Sequence, residues 1–208
     1  MAMGGENKIT LAFDTCLDKM YVTLLSDKTV LVSKIVENHD EKYHSAFLIS
    51  TIKEVLKENN LKPQDIGLIA TNIGPGSFTG IRACTTVARV MAQQMNCKAI
   101  GISSLEILSK IEPDATIVAL DARKDKAYLY LDNEIKGAVP LEEVKELCKG
   151  KMVITDNKLK SLLNGISYQE TGAPLGKILA ELAIEKAKTA DCNWRTLKPL
   201  YIQPPPMG

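Results

Sequence analysis

The chain has 208 residues, enough for one two-lobed domain or two small ones. Lysine and arginine total 26 against 25 aspartates and glutamates, a formal charge of +1, so the chain lacks the basic excess of a protein that holds nucleic acid by itself. Apolar residues make up 45%, which suits an ordinary core, and no apolar stretch approaches the ~20 residues that span a bilayer. Five scattered cysteines, Cys16, Cys84, Cys97, Cys148 and Cys192, form no CxxC pair. They predict free thiols in a reducing compartment, not a disulfide framework. The first residues show no basic end followed by an apolar run. No secretory leader is therefore expected, and the expected location is the cytoplasm.

Residues 8–13, KITLAF, alternate large and small side chains and predict a strand with one side against a core. DTCLDK reads as a turn, MYVTLL (20–25) as a second strand, and TVLVSKIV (29–36) as a third after the tight turn at Asp27-Lys28. A helix is predicted from Tyr43 to Glu58, because Phe47, Leu48, Thr51, Ile52, Val55 and Leu56 recur at i, i+3 and i, i+4. IGLIATNI (66–73) hardly alternates, which predicts a strand buried on both faces. A glycine-rich stretch follows, then a helix over 81–95 and a fifth strand, KAIGI (98–102). The order is β-β-β-α-β-α-β.

The second half repeats that layout. ATIVALD (115–121) and KAYLYLD (126–132) read as strands, with a weaker one near 134–139. Pro140 opens a helix to Cys148. KMVIT (151–155), a short helix at 157–163, ISYQE (166–170) and a helix over 174–190 complete the copy. Two copies of one layout predict a duplicated α/β fold, with an N-terminal lobe over 1–103 and a smaller C-terminal lobe over 104–208. The tail LKPLYIQPPPMG carries four of the nine prolines and predicts an extended surface segment.

The stretch IGPGSFTGIR (73–82) has the placement of a phosphate cradle, between a strand and a helix. Its spacing fails both familiar forms. Ile81-Arg82 follows the last glycine where a P-loop carries Lys-Ser/Thr, and Gly74, Gly76 and Gly80 are one residue too long for GxGxxG. Pro75 also removes an N–H donor. A rigid turn with Ser77 or Thr79 near the helix cap is the better reading. In the helix behind it, Ile81, Cys84, Ala88, Met91 and Met95 make a core stripe, while Ala83, Thr86, Val90 and Gln93 offer a face of small or weakly polar residues. The first helix offers Tyr43, Ala46, Ile49 and Ser50 in the same way. Such faces suit either a partner helix or burial within the chain.

Asp14 and Asp121 end the first strand of each half. Strand-end aspartates in matching repeats hold a metal–phosphate unit in some folds, and are ordinary turn residues in many others. Asp14 is followed by Thr15-Cys16, not by a glycine that would admit phosphate. The only histidines, His39 and His44, do not share a helical face, and no metal site is predicted. Ser77 lacks a GxSxG context.

LAFDT, IGPGSFTGIR, GISSLEIL, ALDARKDKAY and PLYIQPP, in that order, resemble the TsaB (YeaZ) family over nearly the whole chain. GPGSFTGIR is the most specific of these segments. The resemblance implies the actin/sugar-kinase/Hsp70-like (ASKHA) form of the duplicated α/β fold. It implies a non-catalytic, accessory subunit of the bacterial machinery that makes N6-threonylcarbamoyladenosine at position 37 of transfer RNA. Transfer chemistry, metal and ATP then belong to the partners, a TsaD-like catalytic paralogue with an HxxxH motif absent here and a TsaE-like ATPase. No cofactor of its own is expected, transfer RNA is met only through the complex, and the chain alone is expected to pair with itself. The implied docking surface is the outer face of the two N-terminal helices: Tyr43, Ala46, Ile49, Ser50, Arg82, Ala83, Thr86 and Val90. Gly74, Pro75, Gly76 and Gly80 become a rigid lead into the second helix, and Asp14, Thr15 and Asp121 the remnant of a nucleotide site. Asp14-Thr15-Cys16 stands where the family often has DTS, Ala46 where an acid often follows His-Ser, and Gln203 where an arginine is usual. The alternative is a stand-alone ATPase or phosphotransferase of the same fold, with Asp14 and Asp121 at its nucleotide.

Overall fold

The computed structural model describes residues 9–37, 44–112, 114–115 and 117–203. Tyr43 and His39 lie outside them, and so do the last three prolines. The first sheet contains β1 (Ile9–Asp14), β2 (Met20–Ser26), β3 (Thr29–Val36), β4 (Ile66–Asn72) and β5 (Lys98–Ile102), in the order β3-β2-β1-β4-β5. The first three strands pair antiparallel, and β4 and β5 add in parallel. The second sheet contains β6 (Ile117–Asp121), β7 (Lys126–Leu131), β8 (Glu134–Pro140), β9 (Val153–Thr155) and β10 (Ile166–Ser167). Its order, β8-β7-β6-β9-β10, has the same pattern of antiparallel and parallel pairs.

The duplication extends to single hydrogen bonds. The Thr71 hydroxyl of β4 donates to the Phe13 carbonyl of β1, and the Thr155 hydroxyl of β9 donates to the Ala119 carbonyl of β6. The next residues, Asn72 and Asp156, each accept from the N–H two positions on, at Gly74 and Lys158. This is the duplicated α/β fold of the ASKHA type that the two halves of the sequence predict.

Helices α1 (Leu48–Glu58) and α2 (Phe78–Met95) pack on one face of the first sheet. Leu48, Ile52, Val55 and Leu56 of α1 meet Ile81, Cys84, Ala88 and Ala92 of α2 in a cluster with Ile9, Leu11, Phe13, Val22 and Leu24. The first predicted helix begins as a tighter 3₁₀ turn at His44–Phe47, because no side chain caps its amino end. The second begins at Phe78, earlier than predicted. Ser77 is its N-cap and its Oγ accepts from the Gly80 N–H at 3.2 Å. Asn96, in the left-handed region at φ 48°, closes the other end.

A further helix, α3 (Ser104–Leu108), is absent from the sequence prediction although its signal is present. Ser103 accepts from the Leu105 N–H and Glu106 accepts from the Ser103 N–H, a capping box written as Ser-x-x-Glu. In the second half α4 (Leu141–Cys148) and α5 (Lys160–Leu163) take the places of α1 and α2, and α5 is reduced to 4 residues against 18 in α2. The long final helix predicted over 174–190 is α6 (Leu175–Lys186).

The chain divides into two compact units. Of the described residues, the first comprises those up to Ile102 together with Gly176–Pro199; the second comprises those from Ser103 to Leu175 and from Leu200 to Gln203. Sequence order assigns everything after 103 to one C-terminal lobe, but α6 and the segment after it pack on the first sheet. A Cβ at Gly176 would lie 2.2 Å from Thr23 Oγ1 of β2, the Ala99 N–H of β5 donates to the Cys192 carbonyl, and Leu197 joins the first core. β1, predicted to be one-sided, is buried at all six positions. Among the described residues no helix is long and apolar enough to cross a membrane.

Candidate functional site

The glycine-rich loop closes onto the turn after β1. Gly74 takes φ 102°, a conformation open to glycine, and the Gly74-Pro75 peptide is cis. At Gly76 a Cβ would lie 2.3 Å from the Cys16 carbonyl oxygen, and at Gly80 one would lie 1.8 Å from the Thr15 carbonyl oxygen. These two glycines let the loop and the first turn of α2 touch the backbone of residues 15–16. The Ser77 N–H donates to the Cys16 carbonyl at 2.8 Å, and the Thr15 hydroxyl donates to the Gly80 carbonyl at 2.8 Å. Of the loop's donors, Gly74 and Ser77 are committed within the protein and Pro75 has none. A phosphate group held by the Gly74 or Ser77 N–H would have to displace these bonds.

Asp14 lies within the same arrangement, 2% exposed. Its Oδ1 accepts from the Cys16 N–H at 2.6 Å and its Oδ2 from Asn72 Nδ2 at 2.9 Å. Both carboxylate oxygens hold backbone and side chain in place. The Thr15 N–H and hydroxyl each approach Cys84 Sγ of α2 at 3.2 Å. Asp14, Cys16 and Cys84 thereby bring one ligand atom each within 4.8 Å, a metal-like grouping that sequence spacing does not reveal. Burial pushes the Cys16 thiol well above its ordinary pKa, with Cys84 and Asp14 adding to the effect, and the protonated sulfur donates to the Asn72 carbonyl. These bonds tie the turn after β1 to β4 and α2.

Asp121 holds the matching strand end of the second unit in a more open setting. Its Oδ1 accepts from the Arg123 N–H, its Oδ2 pairs with Lys158 Nζ at 2.8 Å, and its own N–H donates to Asp156 Oδ2. Partial burial pushes its carboxyl upward. The bonds from Lys158 and the Arg123 N–H outweigh that and hold it below the ordinary range. Arg123, Lys124 and Asp125 follow in the left-handed region, at φ 61°, 49° and 54°. The two candidate nucleotide aspartates thus lie in different units, each with its oxygens engaged by its own unit.

The outer faces of α1 and α2 are open. Ala46, Ile49 and Ser50 are exposed, as are Arg82, Thr86 and Val90, with Ala83 half-buried. Ile49 is 55% and Val90 52% exposed, two large apolar side chains on the outward faces of these helices. Phe78, which the sequence analysis did not single out, adds a third at 38%. The Arg82 guanidinium lies over its ring, 4.0 Å from the centroid. Their i, i+4 spacing in the helix is the signal that could have found this pair.

Residues 31–171 match the family model described as TsaD: tRNA N6-adenosine threonylcarbamoyltransferase. The chain is 32% identical over 141 residues to the tRNA threonylcarbamoyladenosine biosynthesis protein TsaB of Bacillus subtilis, covering 64% of this chain and 61% of that one. It is 32% identical over 105 residues to TsaB of Buchnera aphidicola (subsp. Baizongia pistaciae), covering 50% and 46%. The Escherichia coli TsaB matches at 29% over 126 residues, covering 57% and 52%. The chain thus spans about half to three fifths of the length of these relatives. YeaZ from Pseudomonas aeruginosa, a solved structure, shares the fold at a TM-score of 0.75 and 22% identity, covering 93% of this chain and 99% of that one. The family model, the TsaB relatives and the shared architecture agree: the chain belongs to the TsaD family, among its TsaB/YeaZ members.

Proposed function

We propose that this chain is a non-catalytic subunit in the making of N6-threonylcarbamoyladenosine in transfer RNA. It docks through the outer face of α1 and α2 on a TsaD-like catalytic paralogue, and works with a TsaE-like ATPase. Family membership supports the pathway. The observation that carries the non-catalytic reading is the closed loop. Gly76 and Gly80 fit backbone, not phosphate, and both oxygens of Asp14 are engaged by Cys16 and Asn72. The same engagement speaks against the alternative, a stand-alone ATPase with Asp14 and Asp121 at its nucleotide.

The test is a reconstitution. The paralogue, the ATPase, the carbamate-forming enzyme, ATP, threonine, bicarbonate and transfer RNA are assayed with and without this chain. The expected result is modification that requires the chain, while the chain alone neither hydrolyses ATP nor modifies RNA. Equal modification without it would refute the reading. Ala46→Arg and Ala83→Arg should each abolish partner binding with the fold intact; a normal complex from both would move the docking surface elsewhere.

A further inference from the structure

We infer that the end of β1, the turn after it and the second turn of α2 together form a binding site for a divalent ion of the zinc type, with Cys16 and Cys84 as thiolate ligands and Asp14 as the carboxylate ligand. The ion is structural. It clamps the closed loop described above and is independent of the docking face.

The three ligand atoms lie within 4.8 Å of one another, on side chains that are all buried. In a tetrahedral zinc site, with bonds of ~2.3 Å to sulfur and ~2.1 Å to oxygen, ligand atoms stand about 3.5–3.8 Å apart. Closing this group on an ion therefore asks for movements of about 1 Å. Zinc takes four ligands, and further oxygens are at hand. Thr15 Oγ1 stands 3.2 Å from Cys84 Sγ, and the Asn72 carbonyl oxygen 3.3 Å from Cys16 Sγ.

The groups around the three residues orient them. The Cys16 N–H and Asn72 Nδ2 each bond one oxygen of Asp14, which leaves each oxygen a lone pair for an ion. The Thr15 N–H points at Cys84 Sγ and supports a thiolate there. The close approach at Gly80, one helical turn before Cys84, is what brings α2 against residues 15–16.

Binding is an exchange that leaves the buried charge unchanged. Two neutral thiols and a carboxylate carry a single negative charge, and so do two thiolates, a carboxylate and a divalent ion. Both S–H bonds break, two metal–sulfur bonds form, and the protons leave to solvent. Burial keeps the proton on Cys16 in the free protein, and the ion takes its place. The donors that hold the charge of Asp14 serve both states. Magnesium, which prefers oxygen and keeps several waters, suits neither the sulfurs nor the burial, so this is not the ion of a nucleotide.

The experiment produces the full chain with zinc supplied, passes it over a chelating resin and measures its metal content. About one zinc per chain is expected to remain. Cadmium supplied instead is expected to give the ultraviolet charge-transfer band of a metal–thiolate bond. With zinc at ~100-fold above its dissociation constant, the chain should melt about 5–10 °C higher than with a strong chelator. Cys16→Ser and Cys84→Ser each keep a hydroxyl for the present hydrogen bond, and should lose the ion, the band and the shift. Cys97→Ser combined with Cys192→Ser removes the partly exposed thiols and should keep all three. A wild-type chain without zinc and without the cadmium band overturns the inference. So does an ion retained by folded Cys84→Ser, or one lost from the Cys97→Ser, Cys192→Ser protein, which would place it on the exposed thiols. If both single serine variants fail to fold, X-ray absorption of the zinc-loaded wild type decides: two sulfurs about the ion support the site, and any other number refutes it.

Discussion

Replacing Gly80 with alanine tests the central claim about the loop. In an ordinary helix the change is favourable, since alanine exceeds glycine by up to ~1 kcal/mol in helix propensity. Here the new Cβ would lie 1.8 Å from the Thr15 carbonyl oxygen, far inside the 3.4 Å at which ordinary contact begins, and 2.7 Å from the Thr15 carbonyl carbon. Both are backbone atoms at the buried end of β1, so no side chain can swing aside. Helix and strand must separate, which strains the Thr15 hydroxyl bond to the Gly80 carbonyl and the Ser77 N–H bond to the Cys16 carbonyl. Overpacking of this kind costs about 1–3 kcal/mol, and a weakened buried hydrogen bond adds about 1 kcal/mol. After the propensity gain, a net loss of about 2 kcal/mol remains. In a chain of this length that lowers the melting temperature by roughly 4–8 °C. Urea unfolding followed by circular dichroism reads the loss as a lower midpoint at unchanged slope. A Gly80→Ala protein as stable as wild type would show that the glycine answers some need other than close approach. Gly76→Ala, with its Cβ 2.3 Å from the Cys16 oxygen, should behave alike.

Ser77→Ala removes the cap of α2 and should cost about 1 kcal/mol in the same unfolding assay, with Ser77→Asp retaining most of it. Lys158→Met should destabilise at neutral pH by less than about 1 kcal/mol, since the pair with Asp121 is largely solvated. Asp121 is held below its ordinary value of 3.8, so its contribution is present above that pH and is lost as pH falls through the lowered value. Wild type and Lys158→Met should therefore converge in acid, and a difference that persists there would mean Lys158 acts by packing alone. Thiol labelling of the folded protein should modify the partly exposed Cys97 and Cys192 well before the buried Cys16 and Cys84. Equal rates at all four would contradict the closed core around Asp14.

Much of the fold was legible in the sequence because its signals are local. Alternation and apolar runs marked the strands, i, i+4 spacing marked α1, and the repeated order of elements foretold two sheets of one topology. The capping box Ser103-x-x-Glu106 was equally local and simply went unread. The exposed faces of α1 and α2 followed from the same helical spacing that placed their buried stripes. Sequence by itself thus determined which elements form, in what order, and which helix faces point outward.

Tertiary structure alone decided what those elements close upon. Gly80 and Thr15 are 65 positions apart, and Asn72 and Asp14 are 58 apart, so no local pattern could say that the loop cradles a backbone turn. The home of α6 was equally hidden. Its apolar stripe suits any open sheet face, and contacts such as Gly176 against Thr23 and the Ala99 N–H to the Cys192 carbonyl tie it and the segment after it to the first sheet. Periodicity specifies the face a segment buries; which surface receives it is set by contacts between residues far apart in the chain, where steric fit and hydrogen-bond pairing select one arrangement.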